Sequence, residues 1–370
     1  MPDSSEKTRE QLQACAKRMH VSENLDNILC DLFTVVGWSC AYILPIVCGV
    51  GFLGTLMIII VIVRSPQQLT RQLIYLVCML ISGLFTNILI AWLRLFPTRG
   101  LPYATNGEEF FDIRYVSPAS CTFFSILADL SFASYSNFLI IASLDRFMSI
   151  YFPVKMMGIH TRHAWIAAGL AALFTLLTIL PTSVNTSWLT VGAKRICWFK
   201  KGHTASLVIN QLFSFIIPPF AIVILNVLFY GRIRIVYSRR GKVGCNSTES
   251  QQLNASLTLF LLSTFYVIFS MPATILVFNA LANLGKASKL NRQVQISRAI
   301  LNLLWELFFL RELTNIVIIF FQVPVARSFA RDRLITVNKY CVQLRKKMKL
   351  ATGKEVNTLD GKSKEEKSMD

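Results

Sequence analysis

Long stretches without a charged residue or histidine dominate the chain. Residues 32–63 form the first and end at Arg64; residues 72–93 lie between Arg71 and Arg94. Residues 164–193 follow His163, residues 204–231 follow His203, and residues 250–285 lie between Glu249 and Lys286. A helix of about 20 apolar residues crosses a hydrocarbon core about 30 Å thick, so each stretch predicts a membrane span. Two more spans carry charges. Residues 116–151 are apolar except for Asp129, Asp145 and Arg146, and residues 299–322 hold Glu306, Arg311 and Glu312. A charge in lipid costs at least about 2.5 kcal/mol, so these two helices must turn their charges toward protein or water. The pattern predicts an all-α fold. It is a seven-transmembrane helix bundle over residues 32–322, with an N-terminal tail of residues 1–31 and a basic tail of residues 323–370. Beyond Gln322, the placing of Pro324, Val325, Phe329 and Leu334 among several Arg residues predicts a short amphipathic helix lying on the membrane. The basic run 345–349 favours anionic lipid.

Composition sharpens the class. The chain is 54% apolar and only 16% charged, against about 25% charge in soluble domains, which excludes a soluble globule. Its net charge of +18 is read by membrane side, with no nucleic acid as partner. With the N-terminus outside, 22 of the 38 Lys and Arg fall in inner segments, whereas the first 31 residues hold 4 basic and 6 acidic residues. This bias predicts a multi-pass plasma-membrane protein with its N-terminus outside and its C-terminus in the cytoplasm. The first 31 residues lack a signal-peptide core, so the first span is expected to direct insertion. The inner loops have no room for a catalytic domain, and the four His lie outside the spans and are scattered. No enzyme activity, cofactor or metal is expected.

Of nine cysteines, Cys121 opens the third span and Cys197 lies between spans four and five. Both fall on the predicted outer side, where disulfides persist. A bridge between them would tie that loop across the mouth of the bundle. Cys15 and Cys30 could also pair. Cys40, Cys48 and Cys78 read as small apolar fillers, Cys245 as a free thiol, and Cys341 as either a lipidation site or a free thiol. Asn185-Thr186-Ser187 is a glycosylation sequon on the outer side, close to the membrane.

Cys121 and Arg146 are 25 residues apart, about 37 Å and close to seven turns along a helix. One stripe of span three therefore joins an outer cysteine to an inner Asp145-Arg146-Phe147, with Pro153 following. With Cys197 in the next outer loop, this resembles a rhodopsin-like (class A) G-protein-coupled receptor over residues 32–335. The departures are specific. Ser270 stands two residues before Pro272, where the family has Trp, and Asn315 begins Asn-Ile-Val-Ile-Ile where the family has Asn-Pro-x-x-Tyr. Span two has no Asp, and Gly83 or Ser82 falls near its place. The pattern of losses is similar to that of orphan receptors expanded in flatworms, next to FMRFamide-type peptide receptors.

The resemblance implies an extracellular ligand and a heterotrimeric G protein as partner, and the missing Asp of span two implies that the family's buried sodium site does not form. It also implies that Asp145 pairs with Arg146 at rest, that Arg146 is freed on opening, and that Pro272 is either the pivot of span six or a static bend. Asp129 stands at pocket depth. It either meets a cationic group of the ligand or pairs with a neighbouring helix through Arg311. Glu306, Arg311 and Glu312 form ligand contacts or an internal network. Arg311 and Glu312, about 100° apart on their helix, are expected to pair across helices rather than with each other. The basic outer loops, with Glu108, Glu109, Asp112 and Asp129, point to a peptide ligand, a neuropeptide, although a small molecule remains open. A membrane transporter or channel is the alternative; it would want repeated halves, and none is visible. A retinal protein is excluded because span seven has no Lys for a Schiff base.

Overall fold

A computed structural model describes residues 24–64, 70–191, 194–199, 204–240, 247–282 and 292–322. Among these residues the chain forms seven long helices and one hairpin. Helix α1 comprises Asn24–Trp38, a π-helical turn Ser39–Ile43 and Leu44–Arg64. Helix α2 begins as Arg71–Thr86, widens into a π-helical stretch Asn87–Gly100 and closes with Leu101–Ala104. Helices α3 (Pro118–Tyr151) and α4 (Thr161–Val184) follow. Strands β1 (Thr186–Val191) and β2 (Lys194–Phe199) pair antiparallel, with Trp188 opposite Cys197. Helix α5 comprises Thr204–Gln211, a π-helical turn Leu212–Ile216 and Ile217–Arg240. Helices α6 (Ser247–Ala282) and α7 (Arg292–Gln322) complete the bundle.

Local chemistry sets several boundaries. Ser117 caps α3 by accepting a hydrogen bond from the Ser120 amide, and Pro118 occupies the first turn, where its missing N–H costs nothing. Thr70 caps α2 through the Leu73 amide. Pro153 follows the end of α3, and the residue before a proline avoids the helical region. Helix α1 starts at Asn24, ahead of the charge-free stretch that begins at Leu32.

Six of the helices are long and apolar enough to cross a membrane, counted among the described residues. The exception is α7, where Glu306, Arg311 and Glu312 interrupt the apolar run and are all buried in the bundle. Helix α3 is the axis: every residue from Ser131 to Leu139 is buried, as a helix enclosed on all faces requires. It packs against α2, α4, α5 and α6, while α7 packs against α1 and α6. Helix α4 lies at the rim and buries a narrow stripe that includes Ala164, Ala168, Ala171, Thr175 and Ile179. Small residues at that spacing let two membrane helices approach closely. Asn137 of α3 donates to the Thr175 hydroxyl there at 2.7 Å.

Candidate functional site

Three polar zones lie along the bundle: one at the mouth, one in the middle and one at the far end.

At the mouth, Cys121 and Cys197 form a disulfide with Cα atoms 5.8 Å apart. It fastens β2 to the first turn of α3. Nearby, Thr122 donates to the Thr186 carbonyl at 2.7 Å, and the Trp188 indole donates to the Arg114 carbonyl. Asp112 is taken up by Arg114, with a closest contact of 2.5 Å. Glu108 and Glu109 therefore remain as the exposed acids of that loop. Asp129 is half-buried one turn above Phe132. It accepts a long hydrogen bond of 3.5 Å from Asn210 of α5, whose own oxygen accepts from Ser214. The cations acting on Asp129 are Arg94 and Arg114. Arg311, one of the two partners considered from sequence, pairs with Glu312 instead. Asn185 caps the end of α4, with its amide donating to the Pro181 carbonyl at 2.7 Å.

Cys30 is disulfide-bonded; Cys15, its candidate partner, lies outside the described residues, as do Cys245, Cys341 and the amphipathic segment after Gln322. Cys40 is more than a filler. Its thiol donates to Glu306 across the α1–α7 contact at 2.9 Å, so Glu306 is held by α1.

Below the mouth lies a small aromatic cleft of about 10 Å³, lined by Phe132, Phe215, Tyr266, Ser270, Trp305 and Phe308 among others. The rings pack on one another: Phe132 stacks on Phe215 at 4.7 Å and lies 5.1 Å from Trp305. Trp305 comes from α7 and shares this cleft with Ser270 of α6. Pro272 sits inside α6 and is exposed on the outside of the bundle.

The middle zone is built on α7. Arg311 and Glu312 pair with each other at 2.6 Å, against the sequence-based expectation. The reason is the neighbouring helix: α2 offers no acid, and the long Arg311 side chain folds back to its own neighbour. Its guanidinium lies 3.6 Å from the Tyr135 ring centroid and 3.8 Å from that of Phe308, close enough for cation–π attraction. Asn315, fully buried, donates to the Tyr135 hydroxyl at 3.0 Å. Asn87 of α2 donates to the Cys48 carbonyl of α1 at 2.9 Å.

At the far end, Arg146 is 1% exposed. It donates to Ser143 on its own helix and, on α6, to the Ser256 carbonyl at 3.1 Å and the Ser263 hydroxyl at 3.4 Å. The Phe229 ring of α5 lies 5.0 Å from it. The expected Asp145–Arg146 pair is not formed. Asp145 pairs instead with Arg71 at the start of α2, at 3.4 Å. Successive helix residues point about 100° apart, which sends Asp145 toward α2 and Arg146 toward α6. Phe147 is half-buried and packs on Tyr151 at 4.3 Å. Ser256, Ser263, Arg71 and Trp305 were not singled out as site residues from sequence. Ser256, Ser263 and Trp305 were legible only as positions on spans and Arg71 only as a loop cation, because a side chain's partner on another helix leaves no local pattern.

The sequence matches the family described as 7 transmembrane receptor (rhodopsin family) over residues 54–312. The chain belongs to that family. No individual curated protein matches it. The rhodopsin-family match ends three residues before Asn315, where the segment departs from the family's Asn-Pro-x-x-Tyr. As a member, the chain is a multi-pass membrane receptor and not an enzyme, with an extracellular ligand and a G protein as the partners the family implies.

Proposed function

We propose that this receptor reports an extracellular peptide, a neuropeptide, to a heterotrimeric G protein at the plasma membrane. The disulfide end faces outside, because disulfides persist there, and the Arg146 end faces the cytoplasm, in line with the inner excess of Lys and Arg. The observation that carries the reading is the hold on Arg146. Two of its polar partners sit on α6, and among the described residues no carboxylate forms an ion pair with it. An outward swing of α6 about the Pro272 region removes both partners at once and leaves a guanidinium facing the cytoplasm. A G protein offering backbone carbonyls or its C-terminal carboxylate then recovers what α6 gave up. The helices are thus a two-state element that ligand and G protein both bias.

Ligand recognition is assigned to the mouth. Asp129, Arg94, Glu108 and Glu109 place both signs of charge at the mouth, which suits a peptide better than a small neutral molecule. Glu306, tied to Cys40, and Arg311, tied to Glu312, are assigned to the internal framework and not to ligand contact.

The test is Arg146→Ala in cells co-expressing a panel of G proteins, screened with a peptide library and read as nucleotide exchange. We expect at least one peptide to activate the parent receptor and the variant to lose that response at equal surface expression. An unchanged response in the variant removes the role given to Arg146.

A further inference from the structure

The first turn of α2 reaches two helices at once. Thr70 caps it, and Arg71 and Gln72 follow. Arg71 pairs with Asp145 of α3 at 3.4 Å. The side-chain amide of Gln72 donates to the Ser256 hydroxyl of α6 at 3.3 Å. Neighbouring helix residues point about 100° apart, so one side chain meets α3 and the next meets α6. Ser256 is buried and is held twice: its hydroxyl takes Gln72, and its carbonyl takes Arg146 at 3.1 Å. Arg71 to Asp145, Arg146 to Ser256 and Ser256 back to Gln72 close a ring through α2, α3 and α6. The links differ in what they resist. The ion pair joins α2 to α3, which also pack along each other, so these two helices form the fixed side of the ring. The other two links both end on Ser256, and both must break when α6 leaves.

We propose that Gln72 is a latch that holds α6 closed from α2, a positioning residue that keeps Ser256 where Arg146 can use its carbonyl. The inference rests on the reading of α6 as the helix that moves, and it adds a second grip on that helix: Arg146 is released only when Gln72 lets go of the same serine. The link can be cut from either side without touching the Arg146 contact. Gln72→Met keeps the length of the side chain and loses the amide. Ser256→Ala loses the hydroxyl and keeps the carbonyl that Arg146 uses.

The experiment is a double-mutant cycle on the purified full chain in lipid nanodiscs. A reporter substitution, Leu259→Cys, is placed on α6 one turn from Ser256, where the native side chain is 2% exposed. The rate at which a polar thiol reagent modifies position 259, read by peptide mass spectrometry, reports the opening of α6 with no G protein present. The buried native thiols Cys40 and Cys48 report general loosening in the same molecules. Gln72→Met and Ser256→Ala are each expected to raise the rate at position 259 about two- to fivefold, the loss of one weak neutral hydrogen bond. The double variant is expected to rise no further than either single one, and the rates at Cys40 and Cys48 to stay as in the parent. Additive effects, an unchanged rate at position 259, or a parallel rise at Cys40 and Cys48 each overturn the latch. If Leu259→Cys opens the bundle by itself, the cycle is read in melting temperature without it: equal, non-additive falls support the link, and additive or absent falls overturn it. Basal nucleotide exchange on added G protein is expected to rise by the same factor as the rate at position 259. A rise at position 259 with no exchange in any variant upholds the latch and removes the G-protein reading instead, so the two failures are told apart.

Discussion

Ser263 is a small residue with a large lever. Its hydroxyl is shared between Arg146 of α3, Asn226 of α5 and the Phe260 carbonyl, so one oxygen joins three helices at the Arg146 end. Hydrogen bonds to a charged group are worth about 1.5–3 kcal/mol, and the 3.4 Å contact here belongs at the weak end. Ser263→Ala should therefore loosen the resting state by about 1 kcal/mol, about a fivefold shift of the equilibrium. Ligand-independent nucleotide exchange should rise by that order at matched surface expression; an unchanged basal rate would mean that the Ser256 carbonyl suffices. At this scale the sequence is informative about where a charge sits and silent about its partner. Arg146 is legible because helical rise fixes its depth relative to Cys121. Its hold on α6, the diversion of Asp145 to Arg71 and the Arg311–Glu312 pair are not legible. Each depends on which face of a second helix is presented, and on which neighbours lack a competing charge.

At the scale of elements, α1 and α2 show how close approach is written into single residues. A side chain at Gly100 would collide with the Cys40 carbonyl and the Ala41 Cα, both backbone atoms that cannot step aside. Gly100→Ala should push the outer end of α2 off α1 at a cost of about 1–3 kcal/mol, seen as a lower melting temperature and reduced surface expression. Gly169 on the exposed side of α4 has nothing within 4 Å of such a group. Gly169→Ala should be neutral or stabilising by up to about 1 kcal/mol through helix propensity, and an equal loss in both variants would refute the packing argument. The seven helices are legible because charge-free length is a coarse and repeated signal. The π-helical stretch of α2 is not, since its hydrogen-bond register is set by the contact with α1 and by Pro97 inside it. The β1–β2 hairpin had a readable cue in Thr-Ser-Trp-Leu-Thr-Val and Arg-Ile-Cys-Trp-Phe around Gly192. That cue was masked by the continuous apolar run from α4.

At the scale of the whole molecule, α3 carries Cys121 at one working end and Arg146 at the other, and this distance separates what each can lose. The Cys121–Cys197 bond spans 76 residues of sequence, and its removal frees unfolded-chain entropy worth about 4.5 kcal/mol in the loop-closure picture. The hairpin keeps two other ties to the same end of the bundle, from Thr122 to Thr186 and from Trp188 to Arg114. None of the contacts of Arg146 involves the hairpin. Cys197→Ser should therefore lower the melting temperature by several degrees and leave a fraction of hairpins undocked, with the helices assembled. Peptide-evoked exchange should fall steeply, because the mouth loses its fixed wall. Basal exchange per receptor at the surface should stay as it is, because the α3–α6 hold at the opposite end is untouched. If basal exchange collapses in step with the evoked response, the two ends are not separable, and the hairpin takes part in the resting hold on Arg146 through the length of α3.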